Sequence, residues 1–247
     1  MIKNINSTYF REQKNLLKSL LALGCLGLLT IFFFATGRSQ GLEKRLDTIN
    51  LKGQTIAGPN LGDILAKIAK NYEIPVGFVV RTPDSLTYVD ESEITAIDSS
   101  KADVMVPHDG TLREVLDELT RLYPAYSWAV DDETIYVSPT IEKDEDLNEI
   151  LNVKINGAEI KYGNGLTSLG FSVVEIAEVK NRLKGLGLVT FMARTHDNGE
   201  KEYSLDIKDK YLKDVLNDVI KNGPFKFWSI SKSITETEIK GLVLTTM

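Results

Sequence analysis

The sequence predicts an α+β protein in which an N-terminal transmembrane or signal helix precedes two small duplicated units, each with two helices packed on a mixed β-sheet. Three observations carry that expectation. Leu112, Val115, Leu116, Pro124 and Trp128 recur at unchanged spacing, 100 residues on, as Leu212, Val215, Leu216, Pro224 and Trp228. Helical-period and alternating apolar patterns then follow one another in similar order around both copies. Ser19 to Thr36, by contrast, carries no charge at all.

That uncharged run has a length suited to a membrane. At 1.5 Å per residue it spans about 27 Å as a helix, against a hydrocarbon core of about 30 Å. Arg11, Lys14 and Lys18 precede it, which favours a cytoplasmic N-terminus and an exported remainder. The expectation is a single-pass anchor in a bacterial inner membrane with the C-terminal region in the periplasm. Ala35-Thr36-Gly37 offers small residues for cleavage, in which case the product is periplasmic or secreted. Cys25, inside the run, is the lone cysteine, so the rest of the chain forms no internal disulfide and no thiolate zinc site. Residues 1–40 are thus read as tail and anchor or signal segment, 41–140 as the first unit and 147–247 as the second.

In the first unit Leu42, Leu46 and Ile49 can line one side of a short helix. Leu61, Ile64, Leu65 and Ile68 share one face of a clearer helix, running from Leu61 to Asn71, with Asn60 placed to cap it. Ile74-Pro75 ends that helix, and Val76 to Val80 reads as a strand. A polar connection from Arg81 to Ser100 is long for a compact domain and is a candidate binding loop. Ala102 to Val106 reads as a strand. Thr111 with Glu114 forms a capping-box signature opening a helix to Leu122. Tyr126 to Val130 and Thr134 to Ser138 form a hairpin around Asp131-Asp132-Glu133, with Tyr126, Trp128 and Val130 alternating toward the helices.

The second unit follows a charged joint, Glu142 to Asp146. Ile150 to Ile155 reads as a strand and Gly157 to Gly170 as a glycine-containing excursion. Ser172 with Glu175 suggests a second capping box before a helix to Leu183. Leu186 to Ala193, Glu202 to Ile207, the helix Lys210 to Lys221, and strands Phe225 to Ile230 and Glu238 to Leu244 complete the copy. Both units then read as strand, helix, strand, strand, helix, strand, strand. Trp128 and Trp228, at matched places, are expected in the cores.

Asn60-Leu61-Gly62-Asp63-Ile64-Leu65, Ile74-Pro75-Val76, Gly110-Thr111-Leu112-Arg113-Glu114-Val115-Leu116, Tyr126-Ser127-Trp128 and Thr134-Ile135-Tyr136-Val137-Ser138-Pro139 together resemble the short N-terminal domain of secretins and TonB-dependent signalling receptors. The likeness covers residues 53–139 and extends more faintly over 150–244. It implies a periplasmic domain that contacts other envelope proteins. In that family a separate β-barrel performs transport, and no barrel follows here, so the resemblance implies docking alone.

Catalytic and metal-binding patterns are absent from this reading. His108-Asp109 and His196-Asp197 are adjacent pairs without a serine elbow or an exported cysteine, and read as loop residues. Asp131, Asp132 and Glu133, and the joint Glu142, Asp144, Glu145 and Asp146, lack the alternating ligands and internal glycine of a calcium loop and read as solvated turns. Gly157, Gly163, Gly165 and Gly170 match no nucleotide fingerprint. No catalytic, cofactor-binding or metal residue is therefore assigned. A net charge of -6 argues against nucleic acid and against an anionic membrane surface as ligands of the polar part.

The expected function is a membrane-anchored, non-enzymatic interaction module facing the periplasm. Its partners would be another cell-envelope protein and the inner membrane, held through residues 19–36. Two alternatives stand beside it. One is an envelope hydrolase acting on cell-wall or glycan material, with an acidic cleft between the units. The other is a structural spacer or self-associating scaffold.

Overall fold

The computed structural model describes residues 41–81, 103–105, 110–141, 143–162, 169–195, 202–234 and 240–247. The first unit comprises α1 (41–48), β1 (Thr55–Ala57), α2 (Leu61–Tyr72), β2 (Val76–Val79), β3 (Asp103–Met105), α3 (Leu112–Leu122), β4 (Tyr126–Asp131) and β5 (Thr134–Pro139). The second comprises α4 (Glu145–Leu151), β6 (Lys154–Tyr162), α5 (Leu169–Val174), α6 (Ala177–Gly185), β7 (Val189–Thr195), β8 (Tyr203–Tyr211), α7 (Leu212–Asn222), β9 (Phe227–Ile234) and β10 (Lys240–Thr246).

Local signals account for the elements of the first unit. The Asn60 side chain accepts from the Asp63 amide at 2.9 Å and starts α2, while Glu73, in the left-handed region at φ 51°, ends it. Thr111 and Glu114 close a reciprocal capping box at the start of α3. Leu42 and Leu46 are buried, so the segment leading into the unit is a helix seated on its core. The β4–β5 turn places Asp132 and Glu133 at φ 44° and 61°, the backbone of a type I′ hairpin that matches the twist of its strands.

The second unit departs further from its sequence reading. The charged joint begins a helix: Asp144 caps α4 by accepting from the Leu147 amide at 3.2 Å. The strand expected at Ile150 starts instead at Lys154 and runs through Gly157, which pairs with Lys208. Ser172 lies inside α5 and starts no helix, so the expected Ser172–Glu175 capping box does not form. The single helix expected there is two, broken before Ala177, where Ile176 supplies no side-chain cap.

The main correction concerns the sheet. The two units do not build separate sheets; they share one of six strands, ordered β4-β5-β2-β9-β10-β7. The junction is β2 against β9, parallel, with Val76 beside Phe227, Gly77 beside Trp228 and Phe78 beside Ser229. Two antiparallel ribbons, β1-β3 and β6-β8, pair outside it. Ile56 of the first ribbon and Ile155, Ile160 and Ile207 of the second are buried with their units' helices, so each helix set lies between a ribbon and the shared sheet.

Neighbouring residues along the junction strands belong to opposite cores. Val76, Phe78 and Phe227 pack with α2 and α3 of the first unit, while Val79, Trp228 and Ile230 pack with the helices of the second. Since successive strand side chains alternate between faces, the two helix sets cover opposite faces of one sheet. Strand order repeats while strand direction and helix-bearing face both reverse. The units are therefore related by a half-turn about an axis across the strands, combined with a step along the sheet.

Among the described residues no helix is long and apolar enough to cross a membrane. The longest, α2, has 12 residues, about 18 Å at 1.5 Å each, and buries only one face. The expected anchor, Ser19 to Thr36, lies outside the described residues. The fold is accordingly an α+β arrangement of seven described helices with a mixed six-stranded sheet. The transmembrane element, the single-pass inner-membrane and periplasmic placement, and the partner held through residues 19–36 are withdrawn with it.

Candidate functional site

The repeat places a tryptophan at the start of the outer hairpin strand of each unit, with very different surroundings. Trp228 is fully buried, and its indole Nε1 donates to Asn217 Oδ1 at 3.0 Å. Its ring lies over Gly77 so closely that a Cβ there would sit 2.5 Å from the ring. Trp128 is only partly buried, and its Nε1 donates to Asp117 Oδ1 at 2.9 Å. The core position expected for both residues is thus occupied by Trp228 alone. Trp128 lies on β4, which among the described residues is an end strand of the sheet, paired only with β5.

Charged groups organise the Trp128 surface. The Arg113 guanidinium sits 5.5 Å from the ring centroid, a cation–π arrangement, and is held by Asp47 at 2.6 Å and by Glu43. Those hydrogen bonds, Asp47's first, raise the guanidinium pKa above its ordinary value, so the cation is fixed at any working pH. At the other end of the hairpin, Asp131 and Asp132 pair with Lys213 and Lys221 of α7. The acidic tip expected to be a solvated turn is instead a clasp between the units. Lys213 also lies 4.0 Å above the Tyr136 ring, and burial, with Asp131 adding to it, pushes the Tyr136 phenol up to about 12.

The acidic joint is also structural. Lys232 on β9 reaches Asp144 at 2.6 Å and Asp146 at 2.9 Å in a largely buried triad. Burial opposes the ammonium charge, but the two carboxylates outweigh it and hold its pKa above the usual lysine value. Glu142 lies outside the described residues.

A groove of about 650 Å³ runs between α4 and α6 and is lined by Glu149, Asn152, Val153, Glu178, Asn181 and Arg182. Its carboxylates are engaged: Glu149 with Arg182, and Glu178 with the Asn156 amide at 3.1 Å. Nothing in it supports the hydrolase reading. Among the described residues no group of three or more His, Cys, Asp or Glu could hold a metal ion. His108, His196, Cys25 and the stretch from residue 82 to Ser100 lie outside the described residues, as do Gly163 and Gly165.

Sequence reasoning missed Asp117 and Asn217, the partners of the two indoles. The signal was present, since they also stand 100 residues apart and extend the repeat by one polar position. It missed the end strands as well, because no single residue marks a sheet edge.

Fold and surface together define a class: a tandem α+β protein whose units share one sheet, with two end strands open among the described residues. No known protein family, curated protein or solved structure matches the chain.

Proposed function

We propose that the chain is a non-catalytic binding scaffold whose working surfaces are the two ends of its six-stranded sheet. The observation that supports this reading is the β2–β9 junction. There the protein already uses one unit's strand edge to bind another unit, with main-chain pairing in register and a tryptophan seated over bare backbone. Strand addition of this kind needs little from side-chain identity and turns an open edge into a binding surface. The likeness of residues 53–139 to the short N-terminal domain of secretins and TonB-dependent signalling receptors points the same way, since that domain works through contacts with other proteins.

Site-specific photo-crosslinking in the native cell tests the proposal. A photoreactive residue at Ser127 or Ala129, both exposed on β4, should give discrete protein adducts, while one at Lys70, exposed on α2, should not. Equal adducts from all three positions, or none from β4, would overturn it.

A further inference from the structure

The two ends of the sheet, open among the described residues, are not alike; they are the two halves of the junction that already exists inside the chain. By repeat and register, β4 corresponds to β9, β5 to β10 and β2 to β7. The inner junction joins β2 to β9. The outer ends are β7, which corresponds to β2, and β4, which corresponds to β9. We infer that the β7 end of one molecule binds the β4 end of a second copy, parallel and in the register of the β2–β9 junction, giving head-to-tail assembly. This rests on the edge-binding reading above and names its partner.

The register can be stated residue by residue. Gly77 stands beside Tyr136 on β5, whose counterpart on β10 is Thr245, and Thr245 stands beside Arg194. Gly77 therefore corresponds to Arg194, Val76 to Ala193 and Phe78 to Thr195. In the assembly Ala193 faces Ser127 of the second copy, Arg194 faces its Trp128, and Thr195 faces its Ala129. Such an interface is heterologous, because the surfaces on the two molecules differ. A half-turn with a step does not close, so it extends into an open filament unless something stops it.

One position differs in a way that sets the strength. At the inner junction Gly77 leaves the Trp228 ring room that any Cβ would fill. Arg194 holds the corresponding register position on β7, and as a non-glycine residue it carries the Cβ that Gly77 lacks. The outer junction is consequently weaker than the inner one, and reversible.

Cysteine cross-linking of the full chain, with Cys25→Ser as background, tests this. Ala129→Cys and Thr195→Cys proteins, mixed and oxidised, should give the mixed dimer in several-fold excess over either homodimer, and the double variant should give a ladder. Thr195→Cys mixed with Lys70→Cys measures random collision. Adding Arg194→Gly to both partners should raise the yield of mixed dimer about tenfold at fixed concentration, the counterpart of about 1.4 kcal/mol. Homodimers as abundant as the mixed species, yields no higher than the Lys70→Cys control, or an unchanged yield with Arg194→Gly would each overturn the inference. If those fail while β4 photo-adducts with another protein persist, the second copy is excluded and edge binding stands; if both fail, both are lost.

Discussion

Trp128 and Trp228 occupy the same place in two copies of one motif, each donating to a residue 11 positions earlier, yet one lies at a sheet end and the other in a core. The acceptor follows the burial. Beside the partly exposed indole it is Asp117, whose charge water can solvate. Beside the buried indole it is Asn217, only 2% exposed, which makes the same hydrogen bond without burying a charge. The difference shows that the duplicated unit tolerates two states of one edge, open or covered, and that the adjustment is a carboxylate exchanged for an amide together with a glycine opposite the ring.

The strongest way to break the comparison is to remove each indole in turn. Trp228→Ala should lower stability by about 3–5 kcal/mol, the usual loss for a buried aromatic, whereas Trp128→Ala should lose clearly less. Urea or guanidinium unfolding of the two variants gives both values directly; equal losses would mean that the two sites are not in different environments. Next in size is the glycine beneath the ring. Gly77→Ala should destabilise by about 1–3 kcal/mol through overpacking, and most of that loss should vanish in a Trp228→Ala background, where the ring is gone. Additive losses in the double variant would place the strain elsewhere.

The acceptor exchange supplies a sharper test. Asn217→Asp puts a carboxyl in a buried site, so its folded-state pKa rises above the unfolded value of about 3.9, and the variant should lose about 1–3 kcal/mol at neutral pH. A raised folded pKa means that the relative stability is present below the unfolded pKa and disappears as pH climbs through the folded one. The Asn217→Asp defect should therefore shrink on acidification, while Asp117→Asn, at the open edge, should stay within about 0.5 kcal/mol. A defect that grows toward low pH would contradict the burial argument.

Each unit also holds one phenol raised to about 12, Tyr136 by burial with Asp131 adding to it and Tyr203 by burial with Asp218 adding to it. Unfolded tyrosine ionises near about 10, so the stability from each neutral phenol is complete below that pH and falls away as pH climbs through the folded value. Unfolding midpoints followed through that alkaline window should decline, and Tyr136→Phe or Tyr203→Phe should each flatten the decline. One change should be a gain: Glu133→Gly relieves a left-handed residue in the I′ turn and should stabilise by about 1 kcal/mol, visible as a higher denaturant midpoint.

Helix caps and apolar spacing make several elements legible in the sequence. Asn60, and Thr111 with Glu114, act on backbone amides within one turn, so their effect is written in neighbouring residues. The same logic failed at Ser172, whose spacing to Glu175 resembles a cap although tertiary packing starts the helix earlier. It failed again at the charged joint, where Asp144 begins a helix whose buried face, Leu147, Ile150 and Leu151, overlaps the strand expected from Ile150 to Ile155. Seven residues hold too few periods for helix and strand to be told apart.

By itself the sequence determined the duplication, the α+β alternation and the caps of the first unit, because side-chain spacing and local hydrogen bonding act over a few residues and repeat wherever the residues repeat. Only the tertiary structure decided that the two units share one sheet, that their helices cover opposite faces, and that Trp228 is covered while Trp128 is not. The reason is physical: strands join through main-chain groups that every residue carries, so the choice of neighbouring edge leaves almost no mark on side-chain identity. Its clearest trace is Gly77, a single missing Cβ whose meaning appears only when the ring of Trp228 lies against it.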